Sequence, residues 1–419
     1  MMKKFINAKI YKNNEATEIL VEDGKIKEIG NNLADCKEVI DLGGKMVTPP
    51  YVDPHLHLDY VYTLAELGKT GAGSGTLFEA IEMWPVFKKT LTVESVKKLA
   101  LKGVMDEVSQ GVQHIRTHID VTDPKFTGLK AMLEMKEELK DIVDIQIVSF
   151  PQQGMYTYKG GRELVEEALK MGADVVGGIP HYEPAREYGE MSVKATVELA
   201  MKYDKLIDVH CDETDDPQAR FIELLNALVY LEGYGAKTSA SHTCSFGSAD
   251  DSYAYRMIDL FKKSKINFIS NPTENAYLQG RHDTYPKRRG LTRVKEFMEH
   301  GINVAFAQDS INDPWYPMGN GNMMNILDNG IHLAQIMSPQ DIEKDLDLIT
   351  YNGARCLNIQ DKYGLEVGKD ANFIVLNGDS PFDVIRNRAN VLASVRKGEF
   401  LFKQKPVEYD VKLDLGVKY

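Results

Sequence analysis

The run Met46-Val47-Thr48-Pro49-Pro50-Tyr51-Val52-Asp53, closing on Pro54-His55-Leu56-His57-Leu58-Asp59, decides how the rest of the chain is read. Side chains on a strand alternate in direction, so His55 and His57 share one face while Leu56 and Leu58 share the other. Two imidazoles about 7 Å apart along a strand can converge on one metal ion at the strand's end. A strand that merely carries two polar residues would look the same, so the pair gains meaning only from what recurs downstream. Three later apolar runs end in the same way: Leu206-Ile207-Asp208-Val209-His210, Thr238-Ser239-Ala240-Ser241-His242, and Ile302-Asn303-Val304-Ala305-Phe306-Ala307-Gln308-Asp309.

Outward from these runs, strand-like and helix-like stretches alternate. Further strands read at 113–120, 144–150, 174–179 and 266–270, which makes eight with the four above. Amphipathic helices separate most of them. Val93, Val96, Ala100, Val104 and Val108 fall on one helical stripe ended by Gly111, and Leu164, Val165, Ala168, Leu169 and Met171 on another ended by Gly172. Eight strands alternating with helices predict a closed (β/α)8 TIM-like barrel over residues 51–365, with chemistry at the strand ends. An open doubly wound sheet is the fallback, but no G-x-G-x-x-G stands at a strand-to-helix turn. Residues 1–50 and 366–419 read instead as short antiparallel strands with hairpin turns at Asp23-Gly24 and Lys397-Gly398. Neither end has the apolar surface to fold well alone, so one small β-sandwich formed by both chain termini is expected.

Composition narrows the function classes. The 419 residues carry a net charge of −12, which argues against nucleic acid, since phosphate binding needs a basic face. No signal peptide and no membrane-spanning run is legible, so a cytoplasmic protein without a membrane partner is expected. The cysteines Cys36, Cys211, Cys244 and Cys356 are scattered with no C-x-x-C, indicating neither a disulfide scaffold nor a structural zinc site.

The strand ends therefore offer His55, His57, His210, His242 and Asp309. Three neutral imidazoles and a carboxylate suit one divalent ion, Zn²⁺, Fe²⁺ or Mn²⁺. Such an ion lowers the pKa of a water, and Glu213 and His242 are the candidate carriers of the proton released.

The segments HLHLD on the first strand, PQQG at 151–154, HCDE at 210–213, SHT at 241–243 and QDSIND at 308–313 resemble the amidohydrolase superfamily. Within it the chain is similar to the cytosine deaminase family, a likeness extending through DTYPKRRG at 283–290 and DPWYP at 313–317. The resemblance implies metal ligation by His55, His57, His210 and Asp309, with Glu213 as proton shuttle and His242 polarising the attacking water. Asp309 would also be first acceptor of that water's proton, and Gln152 would bond the substrate's carbonyl edge. It implies a small-molecule substrate and makes a homo-oligomer plausible. Two-metal relatives resembling dihydroorotase use a lysine at the end of the fourth strand, where this chain has Gly177-Gly178-Ile179-Pro180-His181; one ion per chain follows.

One residue departs from the family pattern. Members acting on cytosine typically carry a second acid directly after the ligand aspartate, beside the ring atom next to the carbon that loses ammonia. Here that residue is Ser310. A neutral, shorter side chain removes a charge and opens room for a methyl group. The expectation is therefore creatinine first, with cytosine close behind and a 5-substituted cytosine as alternative. A cyclic-amide hydrolase would need a second metal and a modified lysine, and an inactive scaffold would have lost ligands; the sequence fits neither.

Phe150, Leu77 and Trp315 are expected to wall the ring pocket, and His181 to stand at the substrate edge or behind it. His114 and His118 are expected to be satisfied groups inside or behind the barrel, and Asp59 a structural acceptor. Cys211 is expected as buried filler, and His282, His300 and His332 as surface or packing residues.

Overall fold

The computed structural model describes residues 2–13, 15–67 and 75–407. Its centre is an eight-stranded parallel sheet in sequential order, made of Tyr51–Leu56, Val112–Asp120, Asp144–Phe150, Val175–Gly178, Leu206–Cys211, Thr238–His242, Asn267–Ser270 and Val304–Phe306. The first and last strands meet at a parallel bridge between Leu56 and Asp309. His57 N–H donates to the Asp309 carbonyl at 3.1 Å, and Asp309 N–H to the His55 carbonyl at 2.8 Å. The sheet is thus a TIM-like barrel whose closing seam carries metal-ligand candidates from both its edges.

Local chemistry accounts for the elements. The stripe from Val93 becomes the helix Val93–Ser109, begun by a capping box between Thr92 and Ser95. The stripe from Leu164 becomes Gly161–Met171 and stops at Gly172 with φ of 128°, a backbone angle that a side chain resists. The run from Met46 divides at Pro49-Pro50, which have no N–H to continue a ladder. Met46–Thr48 pairs with Phe373–Leu376 in a terminal sheet, and Tyr51–Leu56 enters the barrel.

Both termini build the expected second β-layer, but not wholly antiparallel. One sheet holds Met2–Ile6, Glu18–Glu22, Lys25–Gly30 and Glu38–Asp41; the other mixes Lys9–Ile10 and Met46–Thr48 with Phe373–Leu376, Val391–Arg396 and Glu399–Lys403. Met2–Ile6 pairs parallel with Glu38–Asp41, and Lys9–Ile10 parallel with Met46–Thr48, because the intervening chain crosses back before returning. The sheets share a core in which Phe5 meets Phe373 edge-on at 4.9 Å. Residues 408–419 of the expected terminal unit lie outside the described residues. Among the described residues no helix is long and apolar enough to cross a membrane.

Arg116 is the largest polar side chain buried in the barrel. It donates to Asp208 Oδ2 at 2.8 Å, to the Cys356 carbonyl at 2.6 Å and to Gln146 Oε1 at 3.1 Å. Arg116→Met leaves Asp208 buried without its cation, and is expected to lower stability by about 3–5 kcal/mol. Denaturant unfolding checks this; a loss below about 1 kcal/mol would mean that the pair contributes little.

Candidate active site

The strand ends gather their ligand-type atoms into one buried cluster. His55, His57 and His210 offer ring nitrogens within 4.8 Å of one another, and ring nitrogens of His55 and His242 lie within the same distance of each other and of an Asp309 carboxylate oxygen. His57 Nε2 faces His210 Nε2 at 3.1 Å, and Asp309 Oδ1 lies 3.4 Å from His55 Nε2 and 3.5 Å from His57 Nε2. Two residues reach inward through unusual backbone: His242 and Asp309 both have φ of 68°, strained for a residue with a side chain. That turn redirects a strand-end side chain that would otherwise follow the pleat.

The donor set fits a divalent cation. Ser241 Oγ donates to Asp208 Oδ1 at 2.6 Å and lies 2.8 Å from His55 Nδ1. With its hydrogen committed to Asp208, Ser241 can only accept from His55 Nδ1–H. The Nε2 lone pair of His55 is then open, and no protein group satisfies that buried nitrogen. Burial first, and neighbouring imidazoles, hold His55 and His210 well below the usual histidine range; burial brings His57 down to about 3 despite Asp309. Neutral imidazoles with open nitrogens are the form that binds metal.

Glu213 stands beside this cluster, buried, with Oε1 3.3 Å from His242 Nδ1. Burial and the charge of Asp309 push its pKa well above the usual carboxylate range. Its position is fixed by Asp212, whose carboxylate accepts the N–H groups of Phe221 and Ile222, both at 3.0 Å. Amide donors from Asn271 and Asn275 reach His242 Nδ1 at 3.2 and 3.1 Å. His242 therefore accepts at Nδ1 and carries its proton on Nε2, which is buried without a partner; burial lowers its pKa to about 3.

A narrow cleft opens onto these groups, lined also by Tyr60, Leu77, Gln152, Ile179, Glu274, Ser310 and Trp315. Tyr60 stacks on Trp315 at 4.7 Å, and its hydroxyl donates to Gln152 Oε1 at 2.8 Å. This fixes the Gln152 amide with its NH2 group free to donate.

Most of the sequence candidates converge here: His55, His57, His210, His242, Asp309, Glu213, Gln152, Ser310, Leu77 and Trp315. Phe150 and His181 do not line the cleft. Phe150 stacks on His210 at 4.1 Å and buttresses it from behind, because the stack carries its ring away from the opening. His181 enters a short helical turn after Pro180, and its buried ring nitrogens have no partner. The expectation of a satisfied His118 is corrected too: neither ring nitrogen makes a hydrogen bond, Nε2 stands 3.7 Å from Asp208 Oδ2, and the ring lies 4.0 Å from that of His55. His114 pairs with Asp144 at 3.0 Å, and Asp59 accepts from Asp120 N–H at 2.9 Å. Cys211 is buried, and His282, His300 and His332 are exposed.

Sequence reading missed Tyr60, Asp208, Ser241 and the trio Asn271, Glu274 and Asn275. Asp208 has a recoverable signal, since it stands two residues before His210 and shares its face. The trio has i, i+3, i+4 spacing directly after the seventh strand, with Asn271 the N-cap and Glu274 and Asn275 on the helix Pro272–Leu278.

The amidohydrolase family profile matches residues 38–402. The chain is 32% identical to N-isopropylammelide isopropyl amidohydrolase of Pseudomonas sp. strain ADP, over 88% of this chain and 89% of that protein. It is 25% identical to the pterin deaminase of Rhizobium rhizogenes, over 93% and 88% respectively. The crystal structure of 5-methylcytosine deaminase from Klebsiella pneumoniae liganded with 5-fluorocytosine superposes with a TM-score of 0.94 at 46% identity, covering 97% of this chain and 99% of that one. Enzymes of the superfamily bind a divalent metal, for which the His/Asp cluster is suited. With fold, cluster and likeness in agreement, this chain belongs to the amidohydrolase family, as a hydrolase of carbon–nitrogen bonds of the cytosine deaminase type.

Proposed function

We propose that the protein hydrolytically removes ammonia from a cytosine ring bearing a small substituent next to the reacting carbon, with 5-methylcytosine the first substrate to test. The observation that carries this reading is one cleft bordered by the His/Asp cluster, buried Glu213, the fixed amide of Gln152 and the short side chain of Ser310. The 46% identity to a 5-methylcytosine deaminase supports the same choice. Creatinine stood first on the volume argument at Ser310, but a 5-methyl group satisfies that argument equally, so the likeness puts the cytosine ahead.

His55, His57, His210 and Asp309 would hold one divalent ion. That ion supplies Lewis acidity, which makes water acidic enough to act as a nucleophile near neutral pH. The other steps belong to side chains. Gln152 NH2 donates to the ring carbonyl and sets the ring's register. Tyr60, Trp315, Leu77 and Ile179 cover the ring and exclude bulk water. His242 Nε2–H donates to the attacking oxygen. Asp309 takes the proton from the water. Glu213 protonates the ring nitrogen as the oxygen adds and regains a proton from the adduct's hydroxyl as the ring carbon becomes a carbonyl. Asp309 passes the water's proton to the amino group, which leaves as ammonia.

Ammonia release from 5-methylcytosine, cytosine and creatinine tests the reading. Activity on creatinine alone would overturn it. Ser310→Asp fills the corner, and is expected to lower the kcat/KM ratio of 5-methylcytosine to cytosine by about 10–200-fold. An unmoved ratio would remove Ser310 as the selector.

A further inference from the structure

The corner beside Ser310 is more polar than a methyl group needs. The helix Pro272–Leu278 and its N-cap residue Asn271 turn three polar side chains towards the site. Asn271 is engaged with Asp309 Oδ2 at 2.6 Å and with His242, and Asn275 with His242 and Glu213. The third, Glu274, is 3% exposed and lines the cleft. Its Oε2 has no hydrogen-bond partner. Ser310 lies against Glu274 and against Asp313. Asp313 commits Oδ1 to the N–H groups of Trp315 and Tyr316, at 3.0 and 3.1 Å, and its Oδ2 is likewise without a partner. The carboxyl group that Ser310 leaves out of its own position thus stands one layer back, on Glu274.

Buried acceptors are unfavourable unless a donor meets them. A bare ring hydrogen or a methyl group brings none, and would seal these oxygens from water without replacing it. We propose that Glu274 is a specificity-determining residue whose open oxygen receives a hydrogen-bond donor carried on the ring atom next to the reacting carbon. The favoured substrate class is then cytosines with a hydroxyl or amino donor on a short 5-substituent, such as 5-hydroxymethylcytosine. This rests on the reading that the cleft binds a cytosine ring, and narrows which one. The hydroxymethyl O–H donates to Glu274, while the short Ser310 side chain, held against Glu274 and Asp313, leaves the substituent room. This contact does not touch the reacting atoms, so the deamination chemistry is unaltered.

Ammonia release with cytosine, 5-methylcytosine and 5-hydroxymethylcytosine provides the test. The wild type is expected to favour the hydroxymethyl over the methyl compound by at least about tenfold in kcat/KM. Glu274→Leu keeps the bulk and removes the acceptor, and is expected to lower that ratio by about tenfold or more. Glu274→Gln retains an acceptor oxygen and is expected to restore most of it. A wild type that handles the hydroxymethyl compound no better than the methyl one overturns the proposal. So does a Glu274→Leu variant that slows all three substrates by one factor, the mark of a wall residue. Ammonia from none of the three would overturn the cytosine reading together with this proposal, a result distinct from activity without the predicted order.

Discussion

Glu213→Gln is expected to reduce kcat by about 10²–10⁴-fold, the range typical of a positioned acid–base group, while metal content and substrate affinity persist. The substitution is nearly isosteric. Asn275 Nδ2 approaches Glu213 Oε1 at 3.4 Å, and an amide oxygen can still accept there. Asp212 continues to anchor the chain through Phe221 and Ile222, so the loop keeps its course. What disappears is a carboxyl that burial and Asp309 have pushed well above the usual carboxylate range. Such a group holds a proton near neutrality and can deliver it to a ring nitrogen, whereas glutamine can donate a hydrogen bond but transfers no proton. Single-turnover ammonia release, with elemental analysis of the same sample, separates the two effects. Near-normal kcat would take Glu213 out of the mechanism.

The second large effect concerns the metal. Wild type is expected to retain one divalent ion per chain through gel filtration, and His210→Ala or Asp309→Ala to retain none. The atoms concerned crowd one another in a buried space, with two imidazole nitrogens 3.1 Å apart and a carboxylate oxygen 3.4 and 3.5 Å from the histidines of the first strand. Removing one donor should weaken binding by more than the roughly 10–100-fold that loss of an outer hydrogen-bond partner brings. Ser241→Ala supplies that smaller step, since of the four proposed ligands its hydroxyl touches only His55, at Nδ1, its other partner being Asp208. The ordering expected in a chelator competition is wild type, Ser241→Ala, then either ligand variant. Two ions per active chain by elemental analysis would overturn the single-ion site.

The barrel was legible because its strands end in chemistry. His57, His210, His242 and Asp309 each close an apolar run, and such a run is visible without knowing what it pairs with. The pocket's far side was less legible. The seventh strand ends at Ser270, which is no metal ligand, so nothing drew attention to Asn271, Glu274 and Asn275 just beyond it. Phe150 was placed at the strand end correctly, but a strand position does not say whether a ring faces the cleft or a neighbouring imidazole. The strand Met2–Ile6, paired on both sides in its sheet, was missed because lysines stand at positions 3 and 4. Both are buried in the fold, Lys3 against Glu399 at 2.6 Å and Lys4 against the Leu33 carbonyl at 3.1 Å. Ion pairing of that kind hides a buried face from any reading of hydrophobic alternation.

The closing seam has a kinetic meaning. Asp53 Oδ1 accepts from Gln308 N–H across 255 residues of chain, and the Leu56–Asp309 bridge lies directly beside it. Contacts so distant in sequence form late, after the intervening strands have brought the two ends together. Asp309 joins the histidines only at that moment. A chain emerging from synthesis therefore holds the three imidazoles of His55, His57 and His210 before its last barrel strand brings the carboxylate that would complete the set. An ion held by Asp309 and the histidines of the first strand would then act as a latch on the completed ring, adding its binding free energy to that junction.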